Sequence, residues 1–203
     1  WNFWTYKRDL KLKDWFKSKN IKWNEASQNG VIRGLKNRDG WSKEWQRRMN
    51  ILPYEPPKKI RDYKFISEKI PSAKQLGLKN DGIEILQKGG RYEGLRLLKS
   101  FLNKRGKNYS KEMSSPLTAH YSSSRLSAHI AFGTLSIKEI IQQTINRKRE
   151  IQKLPKDEKE NWPRSINTFS SRLRWHCHFI QKLEDQPDIE FKNMHSSYNK
   201  LRN

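Results

Sequence analysis

The chain has 203 residues, a length for one domain or for two small or incomplete ones. Its 43 Lys and Arg against 21 Asp and Glu leave a formal net charge of +22, which favours a polyanionic partner because each neutralised phosphate releases counterions. Hydrophobic residues make up only 33%, yet 8 Trp, 8 Phe and 7 Tyr argue against a disordered polyelectrolyte and for a packed core, while a single cysteine excludes a disulfide framework or a multi-cysteine zinc site. The longest apolar runs are a few residues, such as Ile130-Ala131-Phe132, so nothing is expected to span a bilayer. No signal peptide is visible, which points to the cytoplasm. A start at Trp1, without methionine and in a helical pattern, predicts an internal piece of a larger protein.

Helical periodicity opens the chain from Thr5 to about Lys19, with Leu10, Leu12, Trp15 and Phe16 near helical spacing. Ile21 to Ala26 alternates apolar and polar residues and reads as a short strand. Asn29-Gly30 and Asp39-Gly40 mark turns, and Trp41 to Met49 is a short basic helix. Pro53, Pro56 and Pro57 then break regular structure, and the polar stretch to about Lys88 reads as a linker. After Gly89-Gly90 a helix carries Tyr92, Leu95, Leu98 and Leu102 on one face. A Ser- and Tyr-rich loop from Gly106 to about Ser124 leads to a helix from Arg125 to Phe132. Ile137, Ile140, Ile141, Thr144 and Ile145 mark the next helix, with Lys and Arg on its far side.

The segment from Ser165 to Glu184 is unusual on a helical wheel. Ile166, Leu173, Cys177 and Ile180 form an apolar stripe, and Phe169, Arg172, Trp175, His176 and Phe179 fill the neighbouring arc. Only Ser170, Ser171, Arg174, His178, Gln181 and Lys182 remain for a narrow polar face. Such a helix is expected to be buried, which would set Arg172 and His176 one turn apart inside an aromatic wall. The plainer account is a snorkelling arginine and a hydrogen-bonded core histidine.

Upstream, Ser122-Ser123-Ser124-Arg125-Leu126-Ser127 sits between a loop and a helix. Hydroxyls there can cap a first turn, while free N–H groups and Arg125 attract an anion such as a pyrophosphate or a nucleic-acid phosphate. An ordinary serine cap with a solvated arginine accounts for the same spacing. Of the five histidines only His176 and His178 are close in sequence, and two apart on a helix they point in different directions, so no metal site is expected. Cys177, on the apolar stripe, reads as a packed, inert thiol.

Taken together, these pieces resemble the front half of the flavin-binding domain of the photolyase/cryptochrome family. They are Gly89-Gly90 with Leu95, Leu98 and Phe101-Leu102; Tyr109; Ser123-Ser124-Arg125-Leu126-Ser127; Phe132-Gly133; Leu135-Ser136; and Phe169 to Phe179 with Leu173 and Trp175. Residues 1–52, with Thr5-Tyr6-Lys7-Arg8-Asp9, look like the tail of that family's Rossmann-like N-terminal α/β domain. The implied organisation is that tail, a linker over 53–88, and a mainly α helical domain over 89–203.

The resemblance implies FAD held in an all-helical domain, with a second, antenna chromophore of unknown kind. By the same likeness Tyr109 lies against the cofactor, Ser123, Ser124, Arg125, Leu126 and Ser127 grip its phosphates, and Phe169, Arg172 and His176 line the cavity. Trp175, with Arg172 beside it, is then the contact to the flipped dimer. The implied activity is that of a deoxyribodipyrimidine photo-lyase: blue-light repair of cyclobutane pyrimidine dimers in DNA by electron transfer from reduced flavin. The expected partner is dimer-containing DNA and the expected state a monomer. The family's paired aspartates and electron-transfer tryptophans have no counterpart before Asn203, so no catalytic residue is assigned and the piece is expected to be inactive by itself. Arg172 and His176 stand where the family's repair enzymes usually carry glutamate and arginine, and Met113 replaces a frequent arginine. A cryptochrome-like photoreceptor without repair activity is therefore the alternative.

Overall fold

The computed structural model describes residues 3–28, 30–61, 68–79, 82–83, 86–199 and 201. Among them the chain is mainly helical and contains no strand. The elements are α1 (Phe3–Ser18), α2 (Trp41–Asn50), α3 (Arg91–Asn103), α4 (Tyr109–Glu112), α5 (Ala119–Ser122), α6 (Ser127–Ala131), α7 (Ile137–Lys153), α8 (Lys156–Lys159) and α9 (Trp162–Asp185). A 3₁₀ turn, Arg105–Asn108, leads into α4, and two more follow α9 at Pro187–Glu190 and Ser196–Tyr198. No described helix is long and apolar enough to cross a membrane.

α7 and α9 form the central pair. In α7 the buried residues Ile137, Ile140, Ile141, Thr144 and Ile151 repeat at helical spacing. Ser136 caps its start by accepting a hydrogen bond from the Lys138 N–H at 3.2 Å. Leu154, extended ahead of Pro155, ends it, since the residue before a proline is pushed out of the helical region. The short connection over 154–161 returns the chain antiparallel as α9, whose second residue is Pro163. Trp162, Ile166, Phe169, Leu173 and Cys177 give α9 its buried strip.

α2 and α3 close the core from two sides. Trp41, Trp45 and Met49, four residues apart, belong to the same hydrophobic cluster as Leu98, Phe101 and Leu102 of α3. Gln142 of α7 donates to the carbonyls of Met49 and Ile51, fixing the end of α2. On α3 the buried face is Gly94, Leu97, Leu98, Phe101 and Leu102. A Cβ on Gly94 would lie 2.9 Å from the Leu135 side chain, so only glycine lets α3 come this near.

Several expectations change. Ile21 to Ala26 is not a strand; it runs as irregular chain, because among the described residues no strand is present to pair with it. Tyr92 leaves the α3 face and is 78% exposed, since the face turns on Gly94 and Leu97. The helix expected from Arg125 to Phe132 shrinks to α6, and the loop from Gly106 to Ser124 contains a 3₁₀ turn and two short helices. α1 buries no residue: its apolar side chains are spread around the helix, and Phe3, packed edge-on against Phe191 at 5.7 Å, anchors it. Of the expected linker, residues 53–61, 68–79, 82–83 and 86–88 are exposed and without helix or strand. The remaining linker residues, and Asn29 of the expected turn, lie outside the described residues.

Gln181, assigned by the wheel to the polar face, is fully buried. Its Oε1 accepts from the Ile32 N–H at 2.7 Å, and its Nε2 donates to the Ile32 carbonyl at 2.9 Å and to Asp185 Oδ1 at 2.6 Å. One side-chain amide thus pairs with both polar groups of one loop residue, as a neighbouring strand would. Gln181→Leu should cost about 2 kcal/mol by leaving those groups unpaired. A urea midpoint within error of the wild type would refute this account of the loop.

Candidate functional site

The candidate residues assemble around one short segment, Arg105 to Glu112. Gly106 makes it possible: a Cβ there would lie 2.7 Å from the Phe101 carbonyl oxygen, so glycine alone lets the chain fold back on the end of α3. Arg105 is thereby laid between α3 and the serine loop. Its Nε donates to Ser100 Oγ at 3.0 Å and its Nη2 to the Leu97 carbonyl at 3.2 Å. From the other edge the guanidinium donates to the carbonyls of Ser123, Tyr121 and Ser124. Every acceptor is neutral. Burial first, then the charges of Arg125 and Arg96, weaken Arg105's hold on its proton, although a guanidinium stays charged.

Ser123 and Ser124 are therefore held by their backbones, half-buried, with Leu126 as an apolar anchor in the core. Arg125 adopts a left-handed backbone, φ 60°, which costs a residue with a Cβ about 1–2 kcal/mol. Gln87 supports it by donating to its carbonyl at 2.8 Å, and its guanidinium meets His120 Nε2 at 3.3 Å. Ser127 is exposed at the start of α6. The ordinary serine cap does not form: Leu126 holds the cap position, and no side chain bonds the first turn. With five residues, α6 adds little dipole field, so the positive character here belongs to Arg105, Arg125 and Arg96.

Three residues after Gly106 the same segment presents Tyr109 to α9. Its ring meets Phe101 at 5.4 Å and Phe169 at 5.9 Å, both edge-on, and Phe101 lies 4.5 Å from Phe169. Ser165, buried on α9, locks this junction by donating to the Lys107 carbonyl at 2.7 Å and accepting from the Ser110 N–H at 3.1 Å. Burial pushes the Tyr109 phenol pKa up, and the nearby Arg172 charge partly opposes the shift.

Arg172 stacks 4.3 Å over the Trp175 ring, a cation–π contact at the surface. Trp175 is 46% exposed and meets Phe179 edge-on at 6.3 Å. The arc expected to be buried is thus largely open, and α9 buries a narrower strip than the wheel implies. Only Phe169 of that arc is fully inside, and His176 is half-buried. Cys177 is buried, and loss of solvation pushes its thiol up to about 11, so it carries no thiolate at neutral pH.

Two groups thus meet one segment: Arg125 and the serine loop through Arg105, and Phe169 through Tyr109, with the Arg172 charge near the Tyr109 phenol. Trp175 packs instead with Arg172 and Phe179. Sequence reasoning missed Arg105. The only signal was Gly106, a glycine just past the end of a helix, which marks a turn but not what the preceding side chain reaches.

A lysine cannot reproduce a fork that reaches two elements at once, so Arg105→Lys should lose about 2 kcal/mol, nearly as much as Arg105→Ala. Amide exchange at Ser123 to Leu126 should speed up in both variants; unchanged protection there would remove Arg105 from its role. Burial also lowers the His176 pKa below the usual 6.5. The unfolded chain therefore takes up a proton before the folded one does. Stability is full above that unfolded value and declines as the pH falls below it, until the folded imidazole protonates too. Urea titrations of His176→Gln should show a shallower decline from neutral pH to about pH 5 than the wild type.

Comparison of the chain with protein-family models, with curated proteins and with solved structures finds no match.

Proposed function

We propose that this chain is part of a FAD-dependent, blue-light-driven DNA photolyase that splits cyclobutane pyrimidine dimers. In this reading residues 1–52 end a Rossmann-like α/β domain, 53–88 connect, and 89–203 begin the flavin-binding helical domain of a monomeric, cytoplasmic protein. The observation that carries it is the exposed Arg172–Trp175 stack on the helix that buries Phe169 against Tyr109. That helix is bonded to the same short segment that clamps the serine loop.

The donor set suits a flavin dinucleotide. Arg125 and the hydroxyls of Ser123, Ser124 and Ser127 offer charge and hydrogen bonds for a pyrophosphate, with no carboxylate among them to oppose it. Arg105 holds the loop in shape rather than touching a ligand, since its donors are already engaged. Tyr109, Arg172 and His176 would form one wall of the flavin site, with Phe169 packed behind Tyr109, a raised phenol and an imidazole kept neutral by burial. Reduced FAD, once bound, supplies the electron that light sends to the dimer. Trp175 stacks on the extruded pyrimidines, whose removal from the duplex is cheap because the lesion already weakens stacking. Surplus Lys and Arg hold the phosphates on either side.

A cryptochrome-like photoreceptor is the second reading, favoured by the Arg172–His176 pair in place of the glutamate and arginine usual in repair enzymes. The gene product purified in the dark should be yellow, and Arg125→Ala or Ser127→Ala should lower its flavin content. Trp175→Ala should retain flavin and lose repair of dimer-containing DNA under blue light. Flavin without repair in the wild type selects the photoreceptor; absence of flavin, with no uptake of added FAD, overturns both.

A further inference from the structure

On the flank of α9 facing away from the Arg172–Trp175 stack, a groove runs between α2, α7 and α9. Its volume is about 560 Å³, and it continues into a second hollow of about 280 Å³ that shares Lys148, Gln152 and Asn167 with it. The division follows from the wheel. Asn167, Ser170, Ser171 and Arg174 fall on one side of the buried Leu173, and Arg172, Trp175 and Phe179 on the other.

The chemistry of the groove is one-sided. Lys148, Arg149, Lys159 and Arg174 line it, and none of the lining residues is acidic. The bonds these cations make are to neutral groups: Arg149 donates to Asn146 Oδ1 at 3.4 Å and Arg174 to Ser42 Oγ at 3.3 Å. Between them stand short amide and hydroxyl side chains, which let a ligand backbone come near and can donate to its oxygens. The floor is apolar, formed by Ile141, Ile145 and Leu173.

The cations are strung out rather than convergent. Lys148 and Arg149 are neighbours on α7, whereas Arg174 lies seven residues along α9 from Asn167, which lines the same stretch as Lys148, a separation of about 10 Å at about 1.5 Å per residue. A small anion would leave most of them unsatisfied. A duplex, each of whose strands carries a charge every ~3.4 Å of helix axis, would bring about three phosphates along that length. The net charge of +22 supplies the long-range attraction.

We propose that this groove is a docking track for the phosphodiester backbone of DNA, separate from the Arg172–Trp175 face. The choice of DNA among polyanions rests on the function proposed above. The track engages undamaged duplex, so contact on both flanks of α9 holds flanking DNA while the other face inspects bases.

The test is the salt dependence of binding of a short lesion-free DNA duplex to the 203-residue chain, read by fluorescence anisotropy. Lys148→Gln/Arg149→Gln/Arg174→Gln should flatten the slope of log K against log salt by about 0.9 per lost phosphate contact, about three contacts in all. The matched control, Lys11→Gln/Lys13→Gln/Lys17→Gln on exposed α1, removes the same charge and should leave the slope unchanged. Equal flattening in both variants, or none in the first, overturns the track. If the triple variant loses its helical circular dichroism, Arg149→Gln alone decides the matter, with an expected loss of about one contact. Failure of the photolyase reading would instead appear as no preference for dimer-containing DNA, with the groove result intact.

Discussion

One strip of α9, from Trp162 through Ile166, Phe169 and Leu173 to Cys177, is the surface around which the hydrophobic core is built. Each large apolar side chain on it contributes about 1.5–3 kcal/mol by leaving water. Whole domains are stable by only about 5–15 kcal/mol, so few substitutions on this strip are affordable. α7 packs along it, α2 seals the middle, and Tyr109 and Phe101 cover Phe169. Because the strip is narrow, its two flanks are free to differ. One carries Arg172, Trp175 and Phe179; the other carries serines, an asparagine and Arg174. The chemistry of both surfaces follows from how little of α9 is used for packing.

What the core lacks in area is supplied by side chains that stand in for backbone. Gln181 pairs with both polar groups of Ile32, Ser165 bridges Lys107 and Ser110, Asn161 donates to Asn108 at 2.7 Å, and Arg105 gathers the serine loop. Each ties a loop with few apolar residues to a helix. The Arg48 guanidinium does the same for Val31 at 2.9 Å while bonding Glu44, whose carboxyl it and Arg47 hold down to about 2. A buried amide or hydroxyl with both partners in place specifies one arrangement, whereas an apolar contact tolerates several. The loops are placed by such pairs as well as by turns of their own, such as those closed by the Val31 and Ser115 N–H groups.

This division explains what could be read from the sequence. The helices with a regular apolar spacing, α2, α3, α7 and α9, were legible within a few residues, because burial on one face leaves a period of about 3.6. Tyr92 and the arc of α9 were misplaced for one reason: periodicity says which residues share a face, not how wide a face the neighbours cover. The strand expected at Ile21 to Ala26 failed because alternation shows only what a partner strand would require. Gln181 and Arg105 were invisible, since long-range polar pairing has no period. Tyr109 was singled out through a family likeness, the serine loop and Trp175 first by their residue pattern and then by that likeness, and their neighbours through geometry alone.

The charge imbalance adds a last constraint. A compact body with a surplus of 22 positive charges repels itself, and the cost grows as cations are drawn closer. Ion pairs relieve some of it: Arg91 with Glu139 at 2.7 Å and Arg96 with Glu93 at 2.8 Å bracket the start of α3. Among the described residues Arg105, Arg149 and Arg174 form no ion pair; they lean on carbonyls, an amide and a hydroxyl, which solvate a cation without cancelling it. A polyanion laid along that groove would cancel charge where the protein leaves it uncancelled. Binding and folding would then favour the same arrangement of α2, α7 and α9, because any ligand that prefers the native state stabilises it by mass action.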